Sequence, residues 1–240
     1  MKKIFALLLI TTALQAQKTA GVIRYEFSWD RLKMIEKNKF LTNEQKQREM
    51  QTSKNYQSYK TYTELTFNNE GSWYGVASDE RGNSWQKTEY WVRRDFTQNK
   101  VLETQMISGK VYIVEDSLYT LPWKIKSEIK EVAGHLCMLA TTYDSLRNYA
   151  IEAWFTTDIP MNIGPEEFMG LPGAILEVNI NEGVVVITAT SVKPDANQAL
   201  PPLPKKVKGK RYTRADFQAA VLKYVKDMEA ARQSLWGLRY

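Results

Sequence analysis

A mainly β scaffold of the α+β class, an antiparallel meander with two helical additions, is the fold this sequence predicts. Three observations predict it. About ten short segments alternate apolar and polar residues with the two-residue repeat of a strand. Gly- and Asn-bearing clusters (NNEG, ERGN, TQNK, SGK, NEG) separate them where hairpin connections are needed. No strand-helix-strand unit recurs, which argues against a nucleotide-binding α/β fold.

The chain opens on MKKIFALLLITTALQAQ. Basic Lys2 and Lys3, the apolar run from Ile4 to Leu14 and small Ala16 form a secretory signal peptide over residues 1–16, cleaved near Ala16. The run is about ten residues, short of the roughly 20 that cross a bilayer, and no later stretch supplies a transmembrane span. The mature chain is expected to be exported, to the periplasm or the outer membrane. Cys137, the single cysteine, lies far from the position that lipid acylation needs and leaves no partner for an internal disulfide.

The formal charge of +6 comes from 33 Lys and Arg against 27 Asp and Glu. Signs mix in KEVAG, RRDF and KDMEAAR, so the pattern is a solvated surface and not the basic stripe of a nucleic-acid binder. Aromatics are plentiful, with 7 Trp, 13 Tyr and 8 Phe. Such side chains suit strands and wide cores, and they also suit apolar clefts.

Ile23, Tyr25, Phe27 and Trp29 put one apolar face on the first strand, against Arg24, Glu26 and Ser28 on the other. A charged excursion over about 30–57 follows, with apolar spacing at Leu32, Ile35 and Met50 that predicts helix packed beside the sheet. TYTELTF, SWYGVAS, EYWVRRDF, KVLETQMI and KVYIVED continue the meander, then LPWKIKSE, HLCMLATTYD, YAIEAWFT, AILEVNI and VVVITATSV. These make one β-rich domain over 17–195. Prolines and lysines make 196–212 a linker. A helix over 213–236 begins at Thr213, with Asp216 completing a capping box, and carries Phe217, Val221, Tyr224, Met228, Ala231 and Leu235 on one stripe.

The chemistry-bearing residues are few. His135 is the single histidine and shares a strand face with Cys137, but no nucleophile signature surrounds the thiol, and a free cysteine is most often buried and inert. Two such ligands do not complete a zinc site, so no metal or cofactor is expected. Glu166 and Glu167 are neighbours in one turn and Glu152 lies upstream; glycosidase chemistry needs two acids facing each other across a cleft, and adjacent acids in a turn read as solvated.

The stretch GPEEFMGLPGAILEVNI lacks the lysine of a phosphate loop and the serine of a hydrolase elbow. Leu171-Pro172-Gly173-Ala174 reads as a type II turn, with Pro172 presetting φ and Gly173 supplying positive φ. Met161, Ile163, Phe168, Met169 and Leu171 make the approach apolar, suited to capping a β core or to lining a cleft. Trp154, Phe168, Met169, Leu171, Pro172 and Gly173 are the candidate ligand- or partner-binding residues.

The run AWFTTDIPMNIGPEEFMGLPGAILEVNI resembles the signature of the GLPGLI family of exported Bacteroidetes proteins, reading GLPGAI here. Upstream, WKIKSEIKEVAGHLCMLATT resembles the family's W-x-I and K-x-I-x-G-x-x-C runs, and the similarity spans about 110–192. The resemblance implies an undefined activity with no agreed catalytic residues. The strand-rich exported layout also resembles periplasmic lipoprotein carriers, which implies a large curved antiparallel sheet or half-barrel wrapped around helix. The expected function is therefore a non-enzymatic cell-envelope protein. Its implied partner is an apolar small molecule or lipid, or an outer-membrane receptor component such as a TonB-dependent receptor. A carboxylate-dependent envelope hydrolase is the alternative. A membrane barrel is disfavoured because the chain ends in a capped helix.

Overall fold

The computed structural model describes residues 19–53, 58–77, 90–204, 210–235 and 237–239, and the expected signal peptide lies outside them. In chain order the elements are β1 (Gly21–Asp30), α1 (Arg31–Lys37), α2 (Asn43–Thr52), β2 (Ser58–Asn68), β3 (Gly71–Val76), β4 (Trp91–Asp95), β5 (Lys100–Ile107), β6 (Lys110–Ser117), β7 (Lys124–Val132), β8 (His135–Asp144), β9 (Tyr149–Thr156), β10 (Ala174–Ile180), β11 (Val185–Pro194), β12 (Arg211–Tyr212) and α3 (Arg214–Ala231). Two turns show why the meander folds back so tightly. Ser108-Gly109 and Ala133-Gly134 are two-residue connections with both φ values positive, the twist that antiparallel strands accept.

The twelve strands form one open sheet in the order β12-β6-β5-β4-β3-β2-β1-β11-β10-β9-β8-β7. Two meanders thus meet at β1, which pairs antiparallel with β2 on one side and β11 on the other. β6 and β7 stand at opposite ends of this order, yet only residues 118–123 join them. Laid flat, ten strand spacings span about 48 Å. The joining chain reaches at most about 25 Å. The sheet must curl until its wings approach each other, and β7 also contacts β11 across the curve. This is the curved sheet expected.

The alternation read from the sequence places Ile23, Tyr25 and Phe27 of β1 in the buried interior. They join Leu65, Tyr74, Phe155 and Ile175 in the main core cluster. A smaller cluster, with Ile107, Tyr112 and Val114 against Phe217, Val221 and Val225, docks α3 on the β5–β6 wing.

Three boundaries differ from expectation. The excursion is two helices: Asp30 caps α1 by accepting from the Lys33 amide at 3.0 Å, and Thr42 and Gln45 form a capping box that starts α2 afresh. Ile35 is buried, while α2 buries no residue, so only the first helix is anchored by its apolar side chain. Within the expected linker, Arg211 and Tyr212 add a short strand parallel to Ile113 and Val114. Finally α3 starts on the Thr213–Asp216 box as expected but stops at Ala231, where left-handed Arg232 closes it, so Leu235 of the expected stripe lies beyond the helix and Val225 takes a buried place on it.

Candidate functional site

The segment between β9 and β10 enters the hollow of the curled sheet. Phe168 is fully buried, Met169 and Leu171 nearly so, and Phe168 and Leu171 belong to the main core. Trp123, from the chain that crosses between the wings, donates Nε1–H to the Met169 carbonyl at 2.8 Å, and its ring lies 6.5 Å from Phe168. Tyr25 Oη donates to the Ile175 carbonyl at 2.7 Å from the far wall. These loop side chains plug the core, because the apolar groups on the approach find apolar neighbours inside the sheet.

The type II turn does not form as expected. Gly173 does not have positive φ; Gly170 does, at 105°. Gly173 is required for a different reason, since a Cβ there would stand 2.0 Å from the Thr156 carbonyl oxygen. Pro172 is exposed. Trp154 points to the other face of β9 from Phe155, where Lys130 Nζ sits 4.4 Å from its ring centroid and 2.6 Å from Glu177. The candidates therefore fall in two places, and Trp154 is separated from the loop.

A buried polar cluster holds the plug. Arg94, on the interior face of β4, donates to the Gly164 carbonyl at 3.3 Å, to the Glu166 carbonyl and to Ser72 Oγ. Glu166 is not solvated as its position in a turn suggested: it is 0 % exposed, has a φ of 49° and accepts from Arg239 at 2.8 and 2.6 Å. Its neighbour Glu167 accepts from Tyr119 Oη at 2.9 Å and Arg214 at 3.1 Å. Burial, followed by the Glu167 charge, pushes the carboxyl of interior Glu103 up to about 7. Cys137 is buried too, and burial pushes its thiol up to about 11; His135 instead meets Asp158 at 2.9 Å.

Hollow space lies elsewhere, beneath α3. A cavity of about 270 Å³ opens between α1, the β8–β9 and β10–β11 turns, and α3. Met34, Phe40, Ile180, Val184, Val225 and Leu235 supply apolar wall. Lys37, Lys39, Arg147 and Lys226 also line it, against Glu229. Ion pairs fix part of this rim: Lys37 holds Glu182 of the β10–β11 turn, and Arg147 holds Asp144. Lys39 Nζ donates to the Asn148 carbonyl at 3.4 Å, which brings the α1–α2 connection against the β8–β9 turn. Tyr149 is 7 % exposed and its hydroxyl is itself buried; burial raises its pKa and the neighbouring Arg147 charge opposes the rise.

Residues 145–177 match a family model described as a protein of unknown function (Porph_ging). The match covers β9, the plug and the start of β10, including the Arg147–Tyr149 edge of the cavity. No curated protein matches the chain. Among solved structures, PNGF-II in the P21 space group superposes with a TM-score of 0.56 at 15% identity, over 86% of this chain and 33% of that one. PNGF-II in the C2 space group gives a TM-score of 0.55 at 16% identity, over 85% and 33%. This likeness concerns the fold, and the chain spans about a third of PNGF-II.

None of the cavity residues is among the candidates that the sequence singles out. They come from segments that are individually ordinary: a charged helix end, two polar turns, a strand start and a helix flank. The one signal available is the apolar stripe of α3, which requires a docking surface but does not say that the surface is incompletely filled.

Proposed function

We propose that this chain is an exported cell-envelope protein of the GLPGLI type that binds an apolar ligand without chemically altering it. The observation that carries the reading is the cavity beneath α3, whose apolar walls come from both helical additions and the β8–β11 wing of the sheet. Concave apolar sites with a few convergent polar groups are the usual form of small-molecule sites. The plug residues Phe168, Met169 and Leu171 act as support by filling the sheet interior behind the cavity walls. Extraction of the protein purified from its native envelope, followed by mass spectrometry, tests the reading. An apolar molecule at near-stoichiometric yield supports it, and none in repeated preparations overturns it.

Two observations favour other readings of the same envelope protein. β7 ends the sheet with an open edge, and Ile129 and Leu136 beside it are 61% and 62% exposed, which suits strand addition by an outer-membrane partner. Glu103, a buried acid with one carboxylate oxygen lacking a partner among the described residues, is the group a carboxylate-dependent hydrolase would use. Loss of a measured hydrolysis in Glu103→Gln with the fold intact would decide for the enzyme.

A further inference from the structure

We propose that the open edge of β7 docks a second copy of this chain, the two β7 strands pairing antiparallel about a two-fold axis at Ser127; this goes beyond the ligand-binding reading and does not depend on the cavity. Two rows of cross-strand neighbours run over the wing and end at this edge. One passes from Ile175 through Phe155 and Met138 to Ile129, and the other from Val178 through Ala153 and Ala140 to Ile125. The β10 and β9 members of both rows are fully buried, yet Ile129 is 61% and Ile125 52% exposed. Each row therefore belongs to the apolar interior until its last residue, where cover stops.

The β7 sequence KIKSEIKEV says what supplies the cover. Residues opposite each other in antiparallel strands share a face. With the axis at Ser127, Ile125 of each copy faces Ile129 of the other, so each apolar row continues into the second molecule. On the reverse face Lys126 of each copy faces Glu128 of the other, and the charges match twice. Moving the axis one residue in either direction sets two like charges against each other and faces Ser127 with an isoleucine. The outer Lys124–Lys130 pairs carry like charges, but Lys130 is already held by Glu177 at 2.6 Å. The edge is also available. No described strand lies beyond β7, residues 124–129 are exposed throughout, and no proline interrupts the strand. Lys126, Ser127 and Glu128 form a bulge opposite Leu139 with no register partners in β8, so their main-chain groups are open to another strand.

Sedimentation equilibrium of the purified protein from about 1 to 300 µM tests this. A dimer forming in this range is expected, because a single strand pair lies at the small end of specific interfaces, below about 1,200 Å². Ile129→Lys should abolish it by ending both rows on a charge. Lys126→Glu should weaken it about tenfold or more by setting acid against acid, and adding Glu128→Lys should restore it, a recovery that a merely structural role of either side chain would not give. Ser127→Cys should form a disulfide with itself across the axis under mild oxidation, since directly opposed residues lie within disulfide reach, whereas Lys124→Cys should not. Thermal unfolding of each variant is expected to match that of the parent, because the altered side chains are exposed. A monomer at every concentration overturns the proposal and shows that the bulge blunts the edge. A dimer indifferent to Ile129→Lys and to the charge changes, or one that the second charge change fails to restore, overturns it as well.

Discussion

The Arg239 guanidinium donates to Glu166 Oε1 from Nε at 2.8 Å and from a terminal nitrogen at 2.6 Å, tying the C-terminal segment to a loop 73 positions earlier. Glu166 is wholly buried, and Arg239 stands 4.1 Å over the Tyr90 ring. Neither charge reaches bulk water easily, so each depends on the other. The φ of 49° at Glu166 adds strain that this pair and the Arg94 contact to its carbonyl hold in place.

Breaking one side of that pair is expected to be costly. Arg239→Ala should lose about 3 kcal/mol of unfolding free energy, since it leaves an uncompensated buried carboxylate. Arg239→Met combined with Glu166→Gln should lose less than Arg239→Ala does. Urea unfolding of the variants measures both, and a double variant worse than Arg239→Ala would show that the pair is not coupled.

Glycines at two turns separate close approach from backbone freedom. Gly173→Ala places a Cβ 2.0 Å from the Thr156 carbonyl oxygen and should cost about 1–3 kcal/mol through forced backbone shift. Gly109→Ala meets open space at a φ of 78° and should cost only the left-handed penalty, about 1–2 kcal/mol. A compensating Thr156 substitution would not help Gly173→Ala, because the obstacle is main chain. Thermal unfolding of the two variants compares them.

Glu103 predicts a pH dependence. Its folded pKa of about 7 stands above its ordinary value of 4.5 through burial and the Glu167 charge, with Arg214 and Arg94 opposing. The folded state therefore holds the proton more tightly, and stability falls as pH rises from about 4.5 to 7, by about 3 kcal/mol in all. Glu103→Gln should remove that loss. Denaturant unfolding of wild type and variant at pH 5 and pH 7.5 reads it; an identical change between the two pH values in both proteins would contradict the assignment.

Cys137 should resist modification. Burial pushes its thiol up to about 11, and its Sγ–H points to the His135 carbonyl at 3.5 Å. At pH 8 an aromatic disulfide reagent should release no thiolate from the native protein and one equivalent after denaturation.

Most strands are legible in the sequence alone. KVLETQMI, HLCMLATTYD, YAIEAWFT and AILEVNI match β5, β8, β9 and β10 residue for residue, because alternation and turn glycines act over a few neighbours. Thr213 and Asp216 likewise announce α3, since a capping box is closed within four residues. Local reading fails where a residue's role is set by distant chain. Glu166 looks like a solvated turn acid until Arg239 arrives, and Gly173 looks like a positive-φ glycine until the Thr156 carbonyl is placed beside it. β12 has no local signature at all; its two residues are a strand because β6 offers an open edge.

By itself the sequence determined the β class, the order of the elements and the apolar character of the GPEEFMGLPGA segment, all of which follow from side-chain periodicity and local turn chemistry. Tertiary structure alone decided how the wings of the curved sheet approach each other, that this segment fills its interior, and that a cavity opens between α1 and α3. The physical reason is that periodicity specifies which face of each element avoids water but not which faces meet. Lys39, Arg147, Tyr149 and Val225 become neighbours only when the curled sheet brings one turn, one connection and one helix together.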